Sequence, residues 1–414
     1  MSENLDWPGT NWCGNVDYTP AQLARPRSVE ELQRLVAASR SIRGAGSGHT
    51  FNAIADAEVM VTTADLGGRI ELEGDRVWVS AHTRYADLCP LLDEAGWALP
   101  ALASLPHISV AGSVATGTHG TGDRTGNLAT QVTALELVTA SGDLLHLDSD
   151  HPDFAGSVVN VGALGVVTRL QLQLEPRFDV AQRVFTGLSW EVLENHFDEI
   201  TSAATAVSLF TLYGDVVEEV WLKQRLDRGP LATELFDAPA ATETLHPIVG
   251  LAPDNVTEQL GVPGPWYTRW PHFIPEKAPA SGKEIQSEFF VRRDRAVEAI
   301  AAMRRLRPVL AEVLMISEIR TIAADDLWLS PAQGQDVVAL HFTWQPRPGA
   351  IVPVLAQVEQ ALAPLAPRVH WGKLLVDDRG IADRFPLAGQ FRELAARLDP
   401  EGKFVNPWFT RVFG

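Results

Sequence analysis

The sequence predicts an α+β protein of two domains, on three observations. The chain has 414 residues, more than one ordinary domain holds. Short apolar strands alternate with short amphipathic helices up to about residue 175, and past Glu175-Pro176-Arg177 the elements lengthen. Two strand–helix–strand units then follow between Gln286 and Leu362, which suggests a sheet with helices on one face.

In chain order, Ser28 to Glu31 has capping-box spacing, and Val29, Leu32, Leu35 and Val36 form one helical face behind it. Ser41-Ile42-Arg43 is a short strand running into glycines, and Val77-Trp78-Val79 is another. Tyr85 to Leu92 reads as a helix ended by Gly96. Val132–Thr139 and Leu144–Leu147 flank Ser141-Gly142 as a hairpin. From Val166 to Leu174 the leucines at 170, 172 and 174 face one way, and Arg169, Gln171 and Gln173 the other. His246 to Ser281 is rich in proline and aromatics, including Trp266-Tyr267-Thr268-Arg269-Trp270-Pro271, and predicts an irregular segment covering a site. Gln286–Arg293, Val313–Thr321 and Val337–Trp344 read as strands, with helices at Asp294–Arg307, Ile351–Leu362 and Leu387–Leu398.

A composition of 46% apolar and 21% charged residues is globular and excludes collagen-like, coiled-coil or largely disordered chains. The formal net charge of −18 argues against nucleic acid and anionic membranes as partners, and is otherwise a solubility feature. Two cysteines, Cys13 and Cys89, make neither a disulfide framework nor a thiolate metal site, and fit a reducing compartment. Met1 to Pro8 lacks a basic and an apolar signal region, and no stretch approaches the ~20 apolar residues of a membrane helix. A cytoplasmic monomer is the expectation.

Three stretches carry chemistry. Arg43-Gly44-Ala45-Gly46-Ser47-Gly48-His49-Thr50 places three glycines in five residues after a strand, so the backbone can approach a ligand and form an anion-binding nest. Its Gly-x-Gly-x-Gly spacing differs from the dinucleotide fingerprint. Ser104 to Gly122 combines small residues, hydroxyls and four glycines, and can wrap a pyrophosphate with N–H and hydroxyl donors. A metal site at His107 and His119 is poor, because no carboxylate or thiolate has ligand spacing, and no metal is expected. Gly162-Ala163-Leu164-Gly165-Val166-Val167-Thr168 is by itself only a turn into a strand.

Together, in this order, the three resemble the flavin domain of the vanillyl-alcohol oxidase superfamily. His370-Trp371-Gly372-Lys373 and the closing Asp399–Asn406 segment resemble its sugar-lactone and alditol oxidase branch, as do Ser317-Glu318-Ile319-Arg320, His341-Phe342-Thr343-Trp344 and the loop ending at Ser109. The resemblance implies a two-domain FAD-binding fold, with residues 1–175 and 376–414 forming the flavin domain and 176–375 an inserted substrate cap. It implies FAD held by Arg43, Gly44, Ala45, Gly46, Ser47, Gly48, Thr50, Ser109, Gly112, Ser113, Thr116, Gly117, Thr118, His119, Gly120, Gly162, Gly165, Val167 and His370, with a covalent bond to His49. Neither cysteine matches a second attachment point. Ala111 or Gly112 is the implied governor of oxygen access.

The second half also makes sense from its residues. Glu318 and Arg320 share one face of their strand, and His341 and Thr343 share one face of theirs. Buried unpaired, such groups are costly; as a cage they suit a chain of hydroxyl groups. The alternative is a solvated outer face with a surface ion pair. With the resemblance, Ser109, Glu318, Arg320, Thr343 and Lys373 are the expected substrate contacts. Lys373, His341, Arg320 and Glu318 are the expected catalytic set. The implied reaction oxidises the terminal C1 hydroxyl of an alditol such as xylitol or sorbitol. Hydride passes to flavin N5, the proton to Lys373 or His341, and dioxygen reoxidises the flavin with release of hydrogen peroxide. An aldonolactone oxidase or dehydrogenase of the gulono- or galactonolactone type is the alternative.

Overall fold

The first sheet is small and parallel. Its strands Gln22–Ala24, Val59–Val61 and Ile42–Gly44 lie in that order. The structure, a computed structural model, describes residues 9–68, 70–278 and 283–414. The reading of Met1–Pro8, and the 279–281 part of the His246–Ser281 reading, fall outside the described residues. Leu32 and Val36 of helix Val29–Ala38 pack into the core of this sheet with Ile42 and Val61. The helix begins as its spacing predicts: Ser28 accepts from the Glu31 N–H, and the Glu31 carboxylate accepts from the Arg27 N–H.

The second sheet is antiparallel, in the order Glu71–Glu73, Arg76–Ser80, Val166–Gln173, Val132–Val138, Leu144–Asp148. Its last two strands are the predicted hairpin. Glu175–Pro176, read as a boundary, pairs with Trp97–Ala98.

From Asp179 onward the chain builds an eight-stranded sheet whose pairings are all antiparallel. Its order is Gly264–Pro265, Asp179–Ser189, Val216–Arg225, Ala206–Thr211, Leu314–Ile322, Val337–Trp344, Ile285–Arg292, Arg368–Val369. The two strand–helix–strand units are present but interlocked. Val337–Trp344 inserts between Ile285–Arg292 and Leu314–Ile322, the two strands joined through helix Ala296–Arg305. Every residue of Val337–Trp344 is buried. Val338, Leu340, Phe342 and Trp344 belong to the large core with Ala299, Ile300 and Met303 of that helix and Ile351 and Val354 of helix Pro348–Leu362. Alternation turns Val337, Ala339, His341 and Thr343 to the opposite face.

The C-terminal segment returns to the first sheet. Ile42 N–H donates to the Lys403 carbonyl at 2.9 Å, and Phe404 is buried among Ile42, Val61 and Val166. Asn406, the N-cap of helix Pro407–Phe413, also donates to the Ala53 carbonyl at 3.0 Å. Among the described residues no helix is long and apolar enough to cross a membrane.

Candidate active site

A cleft enclosing about 1530 Å³ of empty space, its open mouth included, lies between the glycine turns and the eight-stranded sheet. One wall is backbone-rich, with Gly44, Gly46–Thr50, Gly112, Ser113, Thr116, Thr118 and Gly162. Gly48 has φ +71° immediately before His49, a conformation that costs other residues ~1–2 kcal/mol. A Cβ on Gly46 or on Gly112 would lie 2.8 Å from Ser109 Oγ. A side chain at either position would push the Ser109 hydroxyl aside. Ser109 Oγ is itself buried and has no hydrogen-bond partner among the described residues. Dinucleotide phosphates need this kind of surface, with N–H groups exposed, side chains minimal and hydroxyls to spare. The residues present fit FAD.

His49 sits in the same wall with its ring stacked on Trp12, centroids 5.5 Å apart at 19°. Its Nδ1 is 3.1 Å from Ser47 Oγ. Burial, with the positive charge of Lys373 and Arg84 nearby, pushes the imidazole down to about 4, so it is neutral at physiological pH.

The opposite wall comes from three neighbouring strands. Gln286 and Glu288, Glu318 and Arg320, and His341 and Thr343 all line the cleft. Glu318 pairs in register with His341, and His341 with Glu288. Arg320 donates to Glu288, and its Nε lies 3.6 Å from Glu318 Oε2. His119, from the other wall, places Nε2 3.2 Å from Glu288 Oε1. Glu318 and Glu288 are buried, which opposes ionisation, but the Arg320 guanidinium together with the neighbouring imidazoles (His119 and His341 at Glu288, His272 and His341 at Glu318) holds both carboxyls well below their ordinary value. Thr343 is buried on the same face.

Lys373 Nζ and His341 Nε2 both approach one atom, Gln286 Oε1, the latter at 3.2 Å. Burial pushes His341 down to about 3, and pushes Lys373 down to about 8 against the pull of Glu288. His370 accepts the Gly372 N–H on Nδ1 at 3.0 Å, so its Nε2–H donates to Thr118 Oγ1 at 3.3 Å. That bond ties the two walls together.

Some expected residues lie elsewhere. Ser109 sits behind Gly46 and Gly112, off the cleft wall. Arg43 borders the cleft, but its terminal nitrogens are taken by the Phe404 and Val161 carbonyls, so it staples the first turn to the C-terminal segment and the third turn. Ala45 packs with Tyr18 and Met60. Gly117 abuts Pro331, and Gly120 abuts the Leu102 carbonyl. Gly165 has φ +152° and room only for hydrogen against the Val138 carbonyl, which is strand packing. Val167 lies in the strand paired with Leu137. Ala111 does not line the cleft, whereas Gly112 does. His107 Nε2 faces the Pro275 carbonyl at 3.1 Å. Among the described residues no group of three or more His, Cys, Asp or Glu could hold a metal ion. Cys89 is buried, while Cys13 is only half-buried, its thiol donating to Asn15 Oδ1 at 2.8 Å.

Gln286, Glu288 and His272 were missed. The first two carry the same two-residue spacing that marks Glu318/Arg320, on a strand already recognised. His272 lies in the irregular segment, where periodicity has no purchase. That segment covers the site as expected: Pro247, Ile248, His272 and Phe273 line the cleft.

This fold and cleft define an FAD-dependent oxidoreductase of the vanillyl-alcohol oxidase superfamily. Residues 20–148 match the FAD binding domain family, and residues 283–412 match the D-arabinono-1,4-lactone oxidase family. An alditol oxidase of Streptomyces sp. is 45% identical over 96% of this chain and 97% of its own. L-gulonolactone oxidase of Bos taurus is 26% identical over 97% of each chain. L-gulono-1,4-lactone dehydrogenase of Mycobacterium tuberculosis is 27% identical over 98% of this chain and 99% of its own. The chain belongs to the alditol oxidase family, in the sugar-lactone and alditol oxidase branch, and is a flavin enzyme acting on CH–OH groups.

Proposed function

We propose that the protein oxidises the terminal C1 hydroxyl of an alditol such as xylitol or sorbitol to the aldose, with dioxygen as acceptor. One observation carries this reading: Gln286, Glu288, Glu318, Arg320, His341 and Thr343 face one cleft from three adjacent strands, bringing carboxylate, amide, guanidinium, imidazole and hydroxyl groups together. An open polyol offers a matching row of hydroxyls, and each one left unmet in a dry site costs ~1–3 kcal/mol. Glu318 accepts hydroxyl protons, Arg320 donates, and Thr343 does either. Bound FAD supplies a two-electron acceptor that dioxygen regenerates with release of hydrogen peroxide.

His341 is the proton acceptor in this reading. Gln286 Oε1 accepts from both Lys373 and His341, so the His341 proton is on Nε2 and the lone pair on Nδ1. That Nδ1 has no partner among the described residues. The Lys373 ammonium and Arg320 bring positive charge to the reacting end. The backbone wall of residues 44–50 and 112–118 holds the cofactor, with His49 as its covalent anchor. Residues 1–175 and 376–414 form the flavin domain and 176–375 the cap, supported by the bond between Ile42 and Lys403.

A lactone substrate is the second reading, favoured by the gulonolactone relatives and the match over residues 283–412. Peroxide release and dye reduction, measured in parallel with xylitol, sorbitol, glycerol and a gulonolactone, decide between them. Peroxide from the polyols and none from the lactone is the expected result. The reverse order overturns the proposal.

A further inference from the structure

Lys223 is fully inside the protein and belongs to no part of the reaction described above. It lies on strand Val216–Arg225, two strands from Glu318 in the sheet. Its Nζ is 2.8 Å from each of the Arg269, Trp270 and Pro271 carbonyl oxygens and 3.1 Å from His272 Nδ1. The irregular segment thus wraps one amine with consecutive carbonyls. His272 carries the contact onward, its Nε2 lying 2.9 Å from Glu318 Oε1. Its ring is wedged edge-on against Phe210 and Trp221, with centroids 5.5 and 5.2 Å away. Its backbone N–H is held by the Ser104 carbonyl at 3.0 Å.

Counting protons assigns the state of this row. Three carbonyl oxygens accept only, so the amine satisfies all three only with the three protons of an ammonium. Nδ1 of His272 then faces a cation and carries a lone pair. Its proton is on Nε2 and points at Glu318, which is ionised beside Arg320. The opposite tautomer would set two lone pairs against each other at 2.9 Å. Burial pushes the amine well below its ordinary value, only partly offset by the Glu318 charge; the three carbonyl acceptors are what hold its third proton. Without these acceptors a buried lysine would be costly.

We propose that Lys223 is a positioning residue for substrate. It holds the carbonyls of residues 269–271, which places His272 at the cleft, and through neutral His272 fixes one Glu318 oxygen so that the other is presented as a hydroxyl acceptor. This rests on the reading of Glu318 as a substrate contact.

The test uses flavin-loaded enzyme, with steady-state kinetics on whichever of xylitol and gulonolactone the wild type oxidises. The polyol reading and the role of Lys223 therefore fail separately. Lys223→Met is expected to raise KM about tenfold or more and to leave kcat within about threefold. In a Glu318→Gln background the same change is expected to have under about a twofold effect, because the path to substrate is already cut. Equal losses in both backgrounds, or a wild-type KM in folded Lys223→Met, overturn the proposal. If that variant does not fold, His272 decides. His272→Leu raises KM, whereas His272→Gln, whose amide oxygen can face the Lys223 cation and whose N–H can donate to Glu318, recovers most of the loss. Equal KM values for the two variants overturn it.

Discussion

His341 Nε2 lies 3.2 Å from Gln286 Oε1, the atom to which Lys373 also donates. One amide oxygen thus sets the imidazole tautomer and parks the lysine beside it. In the proposed reaction the proton acceptor, His341, and the cation, Lys373, are consequently separate side chains.

Replacing His341 by alanine should lower the rate of bound-flavin reduction by roughly 10²–10⁴-fold, with a smaller change in KM. Stopped-flow absorbance with saturating polyol measures it. A wild-type rate would remove His341 from the chemistry.

Lys373 should give the wild type a pH dependence on the alkaline side. With the group held at about 8, its charge is present below that pH and lost above it. If the cation assists the reaction, the reduction rate declines as pH rises through about 8. Lys373→Met should be slow and lack that decline. A rate that instead climbs through the same pH would make the neutral amine the base.

Glu288 compensates Arg320 in a buried site and also faces His119. Glu288→Gln leaves the guanidinium half-compensated and should destabilise the fold by ~3–5 kcal/mol. Asp377→Asn, which breaks the exposed pair with Arg379, should change melting little. Comparable melting of the two variants would show that the buried pair is not a stability determinant.

Acid should unfold the protein early. His272 is held at about 4, His341 at about 3 and His370 well below its ordinary value, all chiefly by burial. Their unfolded value is about 6.5, so the unfolded chain takes up protons first. The stability they contribute is present above about pH 6.5 and lost as pH falls towards 4. Glu318 and Glu288, also depressed, add a further loss below about pH 4.5. Denaturant midpoints at pH 7.5, 5.5 and 4.5 should fall in that order, and less steeply in His341→Asn. A constant midpoint would contradict the buried neutral state.

Covalent attachment at His49 should leave yellow, fluorescent flavin in an acid-precipitated pellet. His49→Ala should release it to the supernatant. A colourless wild-type pellet would exclude the bond.

Much of the site is readable along the chain. Glu318 with Arg320 and His341 with Thr343 are marked by period two on apolar strands, and Gln286 with Glu288 carries the same mark. His272 and Lys223 carry none. A lone lysine in a strand reads as a solvated edge, and a histidine in a proline-rich segment has no face to be assigned to. Ser109, Gly165 and Arg43 show the converse: their motif is plain, yet packing places them behind or beside the cleft wall.

The sequence by itself determined what local physics controls: helix starts such as Ser28, glycine turns that only glycine can make, and the alternation that turns polar pairs to one face. Only the tertiary structure decided that Val337–Trp344 slips between two strands joined through a helix, which brings Glu288, Glu318 and His341 side by side. It also decided which charges meet, as with Arg320 and Glu288, 32 residues apart, and His272 and Glu318, 46 apart. Such pairings follow from burying whole sheet faces at once, and no window of neighbouring residues contains that term.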